Sequence, residues 1–240
     1  MAKVDNIAER KRRIQEMFNG IAPRYDLLNH LLSMGIDLYW RRRALSRART
    51  GAAAEVLDLA TGTGDFALAA GRLKPRRVVG IDVAVQMLKF GQVKIEAGAA
   101  IRLLAGDAER LPFADDSFDL VTVAFGVRNF GHIPTGLSEA RRVLRAGGEL
   151  LILDFADPQM PIFKQLYTFY FKRILPVIGG IISGNRPAYS YLPKSVGEFP
   201  KGQAFLDLLD TAGFCENRAT RLTLGVAYVY QGLKASADVD

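Results

Sequence analysis

Between residues 55 and 155, short apolar runs alternate with helical stretches, and this alternation limits the fold more than any other feature of the chain. "EVLDLA" (55–60), "RVVGID" (77–82), "IRLLAG" (101–106), "FDLVTVAF" (118–125) and "GELLILDF" (148–155) are rich in Val, Ile and Leu. Helical patterns separate them at 65–73, 84–97 and 133–144. Strands covered on both faces read as near-continuous apolar runs, and parallel neighbours need crossover connections, commonly helices. The pattern therefore predicts an α/β fold with a mostly parallel sheet and helices on both faces. "RAGG" (145–148) predicts a turn into the fifth strand. Residues 5–48 read as helices broken at Gly20–Pro23 and near Gly35. Residues 161–200 interrupt the alternation, "AFLDLLDTAGF" (204–214) is an amphipathic helix, and strand-like runs follow at 215–222 and 225–234.

Composition narrows the class. At 49% hydrophobic and 24% charged, the 240 residues can bury a core, which excludes a disordered chain. Cys215 is the only cysteine, so an internal disulfide and a Cys-rich zinc site are excluded and a reducing, cytoplasmic compartment is expected. Basic residues near the N-terminus are not followed by an apolar run, so no signal peptide is expected. The formal charge of +7 favours anionic partners without choosing among them. The basic clusters at 10–13, 41–43, 76–77 and 141–142 are scattered, and we read them as solvated helix faces.

The first strand runs into "DLATGTGDFAL" (58–68), whose Gly62-x-Gly64-x-x-Ala67 spacing also permits a dinucleotide. Charge separates the ligands. Asp58 precedes the loop and Asp65 follows it; beside a pyrophosphate they would repel, whereas they attract the ammonium and sulfonium of S-adenosylmethionine. Asp82, ending the second strand, suits a ribose diol, and Asp107, ending the third, suits the exocyclic amine of adenine. All lie at strand C-terminal ends, where open α/β sheets bind ligands. S-adenosylmethionine is thus the expected methyl donor, with no metal. The division expected is a single domain: an N-terminal helical cap (1–50), a cofactor-binding core (51–158), a lid or substrate insert (159–200), and a C-terminal helix with the last strands (201–240).

The chain resembles the ubiquinone/menaquinone biosynthesis C-methyltransferases over almost its whole length. The resemblance rests on "YDLLNHLLSMGIDLYWRR" (25–42), "GDAERLPFADDSFD" (106–119), "FGVRNF" (125–130), "RVLRAGGELLILDF" (142–155) and "YSYLPKSVGEFP" (189–200), besides the less specific glycine loop. It implies a seven-stranded class I methyltransferase (Rossmann-like) fold and methyl transfer to a ring carbon of a prenylated quinol, such as demethylmenaquinol or a ubiquinone-precursor benzoquinol. The alternative is a class I methyltransferase acting on another small lipid or phenol. By the resemblance Thr63, Asp82, Asp107 and Ala108 match cofactor-contacting positions, and Ala124 stands where many relatives carry a small hydroxyl residue. With Asp58, Gly62 and Gly64 they form the expected cofactor set. Asp37 and Tyr230 stand where relatives often have His.

Ring-carbon methylation needs a phenol brought towards phenolate, since free phenols ionise near pH 10. Arg128, in "FGVRNF", follows the fourth strand and is expected to favour the phenolate, with Asn129 holding a water or the second oxygen. His132 and Tyr25 complete the expected catalytic set; His30 reads equally well as a surface or cap residue. The apolar and basic stretch 161–183, with Lys164, Lys172 and Arg173, is expected to cover the prenyl tail and to touch an anionic membrane surface peripherally; it contains no run of the roughly 20 apolar residues that span a bilayer. A homo-oligomer is compatible with these readings. Nucleic acid is not an expected partner: after the fourth strand stands "AFGVRNF", with neither an Asn/Asp-Pro-Pro-Tyr motif nor a Cys nucleophile. A dehydrogenase is disfavoured by Asp58 and Asp65, and a non-catalytic scaffold by retention of the cofactor acids.

Overall fold

The computed structural model describes residues 2–49, 54–156, 158, 160–174, 177 and 186–236. Its centre is a seven-stranded sheet in the order β3-β2-β1-β4-β5-β7-β6. The strands are β1 (Glu55–Leu59), β2 (Arg77–Asp82), β3 (Ile101–Ala105), β4 (Phe118–Ala124), β5 (Leu144–Phe155), β6 (Phe214–Leu222) and β7 (Ala227–Lys234). β1 to β5 pair in parallel, while β7 runs antiparallel to both β5 and β6. The expected parallel sheet is present, and β7 slots between β5 and β6.

Side chains on a strand alternate between faces, and here both faces are covered. On one, Leu57, Val121 and Ile152 belong to a core with Leu137 and Ala140 of α6 (Ile133–Val143) and Phe205 and Leu209 of α9 (Gln203–Thr211). On the other, Val56, Leu120 and Leu151 join Trp40 and Ala44 of α3 (Ile36–Leu45) and Phe66, Ala67 and Ala70 of α4 (Asp65–Gly71), and α5 (Val85–Lys94) follows β2 in the chain. Tyr230 is fully buried in the first of these layers, against Phe205, its hydroxyl accepting from the Gly202 N–H at 2.9 Å.

The expected "RAGG" turn is absorbed into β5. Gly147 takes a left-handed φ of +75°, and the β4–β5 register shifts between Phe118 and Leu120, so the glycines form an irregularity inside a longer strand. The N-terminal region is helical as expected: α1 (Ala2–Ile21), α2 (Tyr25–Leu32) and α3, with Gly35 at φ +74° separating the last two. Of the 161–200 segment, α7 (Pro161–Phe169), a π-helical turn (Tyr170–Ile174) and α8 (Arg186–Glu198) are described. Residues 175–176 and 178–185, including Pro176 and Gly179–Gly180, lie outside the described residues, as do the side chains of Lys164 and Lys172. Among the described residues no helix is long and apolar enough to cross a membrane.

Candidate active site

The strand ends β1, β2 and β4 converge on one cavity of about 640 Å³. Backbone turns after β1 and after β4 make room for it. Gly62 and Gly64 adopt φ of +58° and +81°, a region glycine enters without steric cost. Ala60 (φ +51°) and Phe125 (φ +57°), just beyond β1 and β4, take the same region with a Cβ. Such residues cost about 1–3 kcal/mol each and cluster at functional sites. A Cβ on Gly126 would meet that of Ala60 at 2.5 Å, so this crossing needs glycine. Phe125 is held there by its N–H to Leu153 O at 2.7 Å and by Arg128, which donates to its carbonyl at 2.6 Å.

At one end of the cavity Asp82 accepts from the N–H of Gly62 and of Ala84, each at 2.8 Å. Burial pushes its carboxyl up from the ordinary range, and these N–H groups oppose the shift. Asp107 lines the same end, accepting from the Glu109 N–H at 2.9 Å and from Lys11 Nζ at 2.8 Å. Lys11 also meets Glu109 at 3.0 Å, so α1 is pinned over this end. Ala108, Ala124 and Gly62 are in the wall, together with Phe18 and Gln15 of α1.

The other expected cofactor residues lie deeper. Asp58 is fully buried and accepts from Thr61 Oγ1 at 2.6 Å and Thr122 Oγ1 at 2.7 Å; burial raises its pKa to about 6. Neither Asp58 nor Thr63 is in the cavity wall; Thr63 donates to Asp26, and Gly64 shapes the loop beneath. Asp65 is paired with Lys94 at 2.6 Å. Asp58 is thus a buried, hydroxyl-bonded carboxyl beneath the loop, and Asp65 is ion-paired with Lys94 beside it.

The loop can still be tested against the two ligands. A pyrophosphate needs free backbone N–H donors at the helix N-terminus. Here the Gly62 N–H is taken by a carboxylate, and the first residue of α4 is acidic. Neutral ribose hydroxyls and a cationic tail meet acceptors at this end, so the residues present fit S-adenosylmethionine.

The opposite end is built by the N-terminal helices and the turn after β4. Tyr25, Phe18 and Phe125 line both the main cavity and an adjoining one of about 70 Å³. Burial pushes the Tyr25 hydroxyl up from its ordinary value, while a hydrogen bond to Asn29 and the cations Arg128 and Arg41 pull it down. The net shift is upward, so Tyr25 is a neutral donor at pH 7. Asn129 lines the main cavity and accepts from the Tyr191 hydroxyl at 3.0 Å. Arg128 is buried and donates to Asp154 Oδ1 at 2.6 Å, its guanidinium 5.3 Å from the centre of the Phe155 ring. Asp154 is wholly buried, and burial pushes its carboxyl up against the pull of Arg128.

His132 does not line either cavity. It immediately precedes α6, with Nδ1 2.7 Å from Thr135 Oγ1. His30 also serves locally, with Nδ1 2.9 Å from Asp37 Oδ2.

Four residues at the site were not expected from the sequence: Lys11, Asp37, Arg41 and Tyr191. Arg41 corrects the reading of 41–43 as a solvated face. Asp37, Trp40, Arg41, Ala44 and Leu45 are all buried, a helical stripe carrying an acid and a base four residues apart. That i,i+4 pair on the apolar face was the legible signal.

The comparisons agree with this geometry. Residues 6–234 match the model of the ubiE/COQ5 methyltransferase family. The chain is 50% identical over 218 residues to the demethylmenaquinone methyltransferase of Thermus thermophilus, covering 90% of this chain and 99% of that protein. It is 46% identical over 233 residues to the ubiquinone/menaquinone biosynthesis C-methyltransferase UbiE of a Geobacter species, covering 95% and 99%. Among solved structures, an S-adenosylmethionine-dependent methyltransferase of Thermotoga maritima, titled a possible histamine N-methyltransferase, superposes with a TM-score of 0.66 at 20% identity over 91% of this chain and 98% of that one, a likeness of fold. The strand order, the acid-lined cavity and these matches together mean that the chain belongs to the ubiE/COQ5 methyltransferase family and is an S-adenosylmethionine-dependent C-methyltransferase of quinone biosynthesis.

Proposed function

We propose that the substrate is a prenylated quinol, with demethylmenaquinol the first choice, and that its ring lies where the two cavities meet at Tyr25, Phe18 and Phe125. The observation that carries this reading is the buried Arg128 at the end of the site away from Asp82 and Asp107. The relatives named for menaquinone and ubiquinone biosynthesis support the substrate class.

S-adenosylmethionine, when bound, supplies an electrophilic methyl group. Asp82 takes the ribose hydroxyls and Asp107 the adenine amine, while Gly62, Ala108 and Ala124 give the close walls. Asp58, Thr63 and Gly64 hold the loop's shape from beneath. Arg128 keeps a permanent positive charge beside the quinol oxygen next to the reacting carbon, which favours phenolate over phenol. Each pKa unit of lowering is worth about 1.4 kcal/mol, so two or three units bring a phenol within reach of neutral pH. Tyr25, neutral, donates to the ring oxygen or to a water, and Asn129, fixed by Tyr191, orients that water. The aromatic wall excludes bulk solvent, which strengthens each of these interactions.

We read the chain as one domain: residues 51–158 hold the methyl donor, 1–50 roof it, 159–200 cover the tail and 201–240 complete the sheet. Exposed Leu27, Leu31, Met34 and Leu38 on α2–α3, with Met160 and Phe169 near α7, support peripheral contact with the cytoplasmic face of a membrane. Salt-sensitive partitioning onto anionic vesicles is the expected result, and equal partitioning with and without vesicles would remove that contact.

The function is tested with purified protein, S-adenosylmethionine and a reduced, short-tailed demethylnaphthoquinol. A carbon-linked methyl on the ring is expected. In Arg128→Lys, turnover should drop about a hundredfold and recover in part at alkaline pH, with S-adenosylhomocysteine affinity kept. Wild-type turnover in that variant would eliminate the proposed role of the guanidinium.

A further inference from the structure

Arg128 has a counterpart. Arg41 of α3 lines the same 70 Å³ cavity, and both guanidinium groups are buried. Each is braced by an acid, Arg41 by Asp37 and Arg128 by Asp154. Each lies 5.3 Å from the centre of one ring of a contacting pair, Arg41 over Phe125 and Arg128 over Phe155, the rings being 4.6 Å apart. Each keeps a buried Nε–H that no described protein acceptor takes. Buried N–H donors normally find partners. Both guanidinium groups line one cavity beside the methyl-donor pocket, and their terminal N–H groups outside the pairs with Asp37 and Asp154 form a site for a ligand with two acceptors.

Resting on the proposed function, we infer that Arg41 binds the second oxygen of the quinol, the one remote from the reacting carbon, and thereby makes the enzyme select a 1,4-diol over a mono-ol. The chemistry fits the charge balance. Each cation is braced by one carboxylate, so the cavity offers charge-assisted hydrogen bonds without demanding a dianion. Asp37 also accepts from Ser33 Oγ at 2.6 Å and lies against His30, so the carboxylate bracing Arg41 is itself fixed. A planar guanidinium held on one edge presents its remaining N–H groups in a set direction, which a lysine cannot do. The oxygen at Arg128 activates the carbon; the oxygen at Arg41 positions the ring.

The test compares two short-tailed substrates: the demethylnaphthoquinol, and the naphthol that keeps the oxygen next to the reacting carbon and lacks the other. A site built to hydrogen-bond a hydroxyl rejects an analogue lacking it by large factors. Wild type should favour the diol by about fiftyfold or more in kcat/KM, whereas Arg41→Met should reduce that preference to within about threefold. The loss should fall on KM for the diol, leaving the pH profile of kcat unshifted and S-adenosylhomocysteine affinity unchanged. Arg41→Lys should fall between. If Arg41→Met does not fold, the double variant Asp37→Asn/Arg41→Met removes both charges, and the same loss of preference is expected. Undiminished preference in a folded variant overturns the inference, and so does a wild type that treats the two substrates alike. No transfer by wild type to either compound removes the proposed substrate class and this inference with it.

Discussion

The two ends of the active site solve the problem of holding a ligand in opposite ways. At the Asp82 end the sheet supplies the geometry: carboxylates sit on strand ends and are fixed by backbone N–H groups of Gly62, Ala84 and Glu109. At the Arg128 end, side chains from α2, α3, α8 and the turn after β4 meet, and buried ion pairs, Arg128 with Asp154 of β5 and Arg41 with Asp37 within α3, supply the geometry. The first end resists single substitutions structurally and loses ligand. The second end risks the fold itself, because removing one partner of a buried pair leaves an uncompensated charge.

The sharpest way to break this contrast is Arg128→Ala. It should destabilise the protein by about 3–5 kcal/mol at neutral pH, through Asp154 left buried and ionised. Burial holds the Asp154 carboxyl above its unfolded value, so the folded state binds the proton more tightly and acid favours it. The loss measured by urea unfolding should therefore shrink from pH 7.5 to pH 5. A loss equal at both pH values would mean that Asp154 is not the cause.

Asp82→Ala should next cost about 2–4 kcal/mol of S-adenosylhomocysteine affinity, as a charged acceptor of two hydroxyls is removed. Thermal stability should change far less than in Arg128→Ala. Calorimetry that finds an unchanged dissociation constant would displace the ribose from this acid.

Asp58 tests how far the first end is buried. Its folded pKa of about 6 stands above the unfolded value of about 4, so stability should rise as pH falls from 7 through this window, by about 3 kcal/mol in all. Asp58→Asn should flatten that slope. A slope unaltered by the substitution would assign it to other carboxyls.

The smallest effect is expected at Lys11. Its pair with Asp107 is part-exposed, and such pairs contribute about 0–1 kcal/mol. Lys11→Met should speed S-adenosylhomocysteine release no more than about fivefold; a larger effect would make α1 a principal clamp.

What could be read from the chain follows the same division. The strands from 55 to 155 and the acids Asp82 and Asp107 were legible because both depend on local pattern: apolar runs, a glycine loop and an acid at each strand's end. Arg41 and Tyr191 were not, because they lie 87 and 63 residues respectively from Arg128 and meet it only through the packing of α3 and α8. Asp58 was legible as a residue but not as an environment; its complete burial raises its proton affinity, and the hydroxyls of Thr61 and Thr122 only oppose that shift. His132 shows the converse: it is near "FGVRNF" in sequence, yet α6 begins there and turns it to Thr135.

The position of β7 has a consequence for synthesis on the ribosome. β5 is a central strand with Leu150 to Leu153 almost wholly buried, yet its partner on one side is the last of the seven strands along the chain. Until residues 227–234 have emerged, that long apolar edge has no neighbour. Nascent chains with an open strand edge are prone to pair with one another. β6, made earlier, cannot close the gap, since in the finished sheet it bonds to β7 and not to β5. The half-made protein is thus in need of chaperone cover from the completion of β5 until residues 227–234 leave the exit tunnel, and a message cut short anywhere between should yield a chain prone to aggregate.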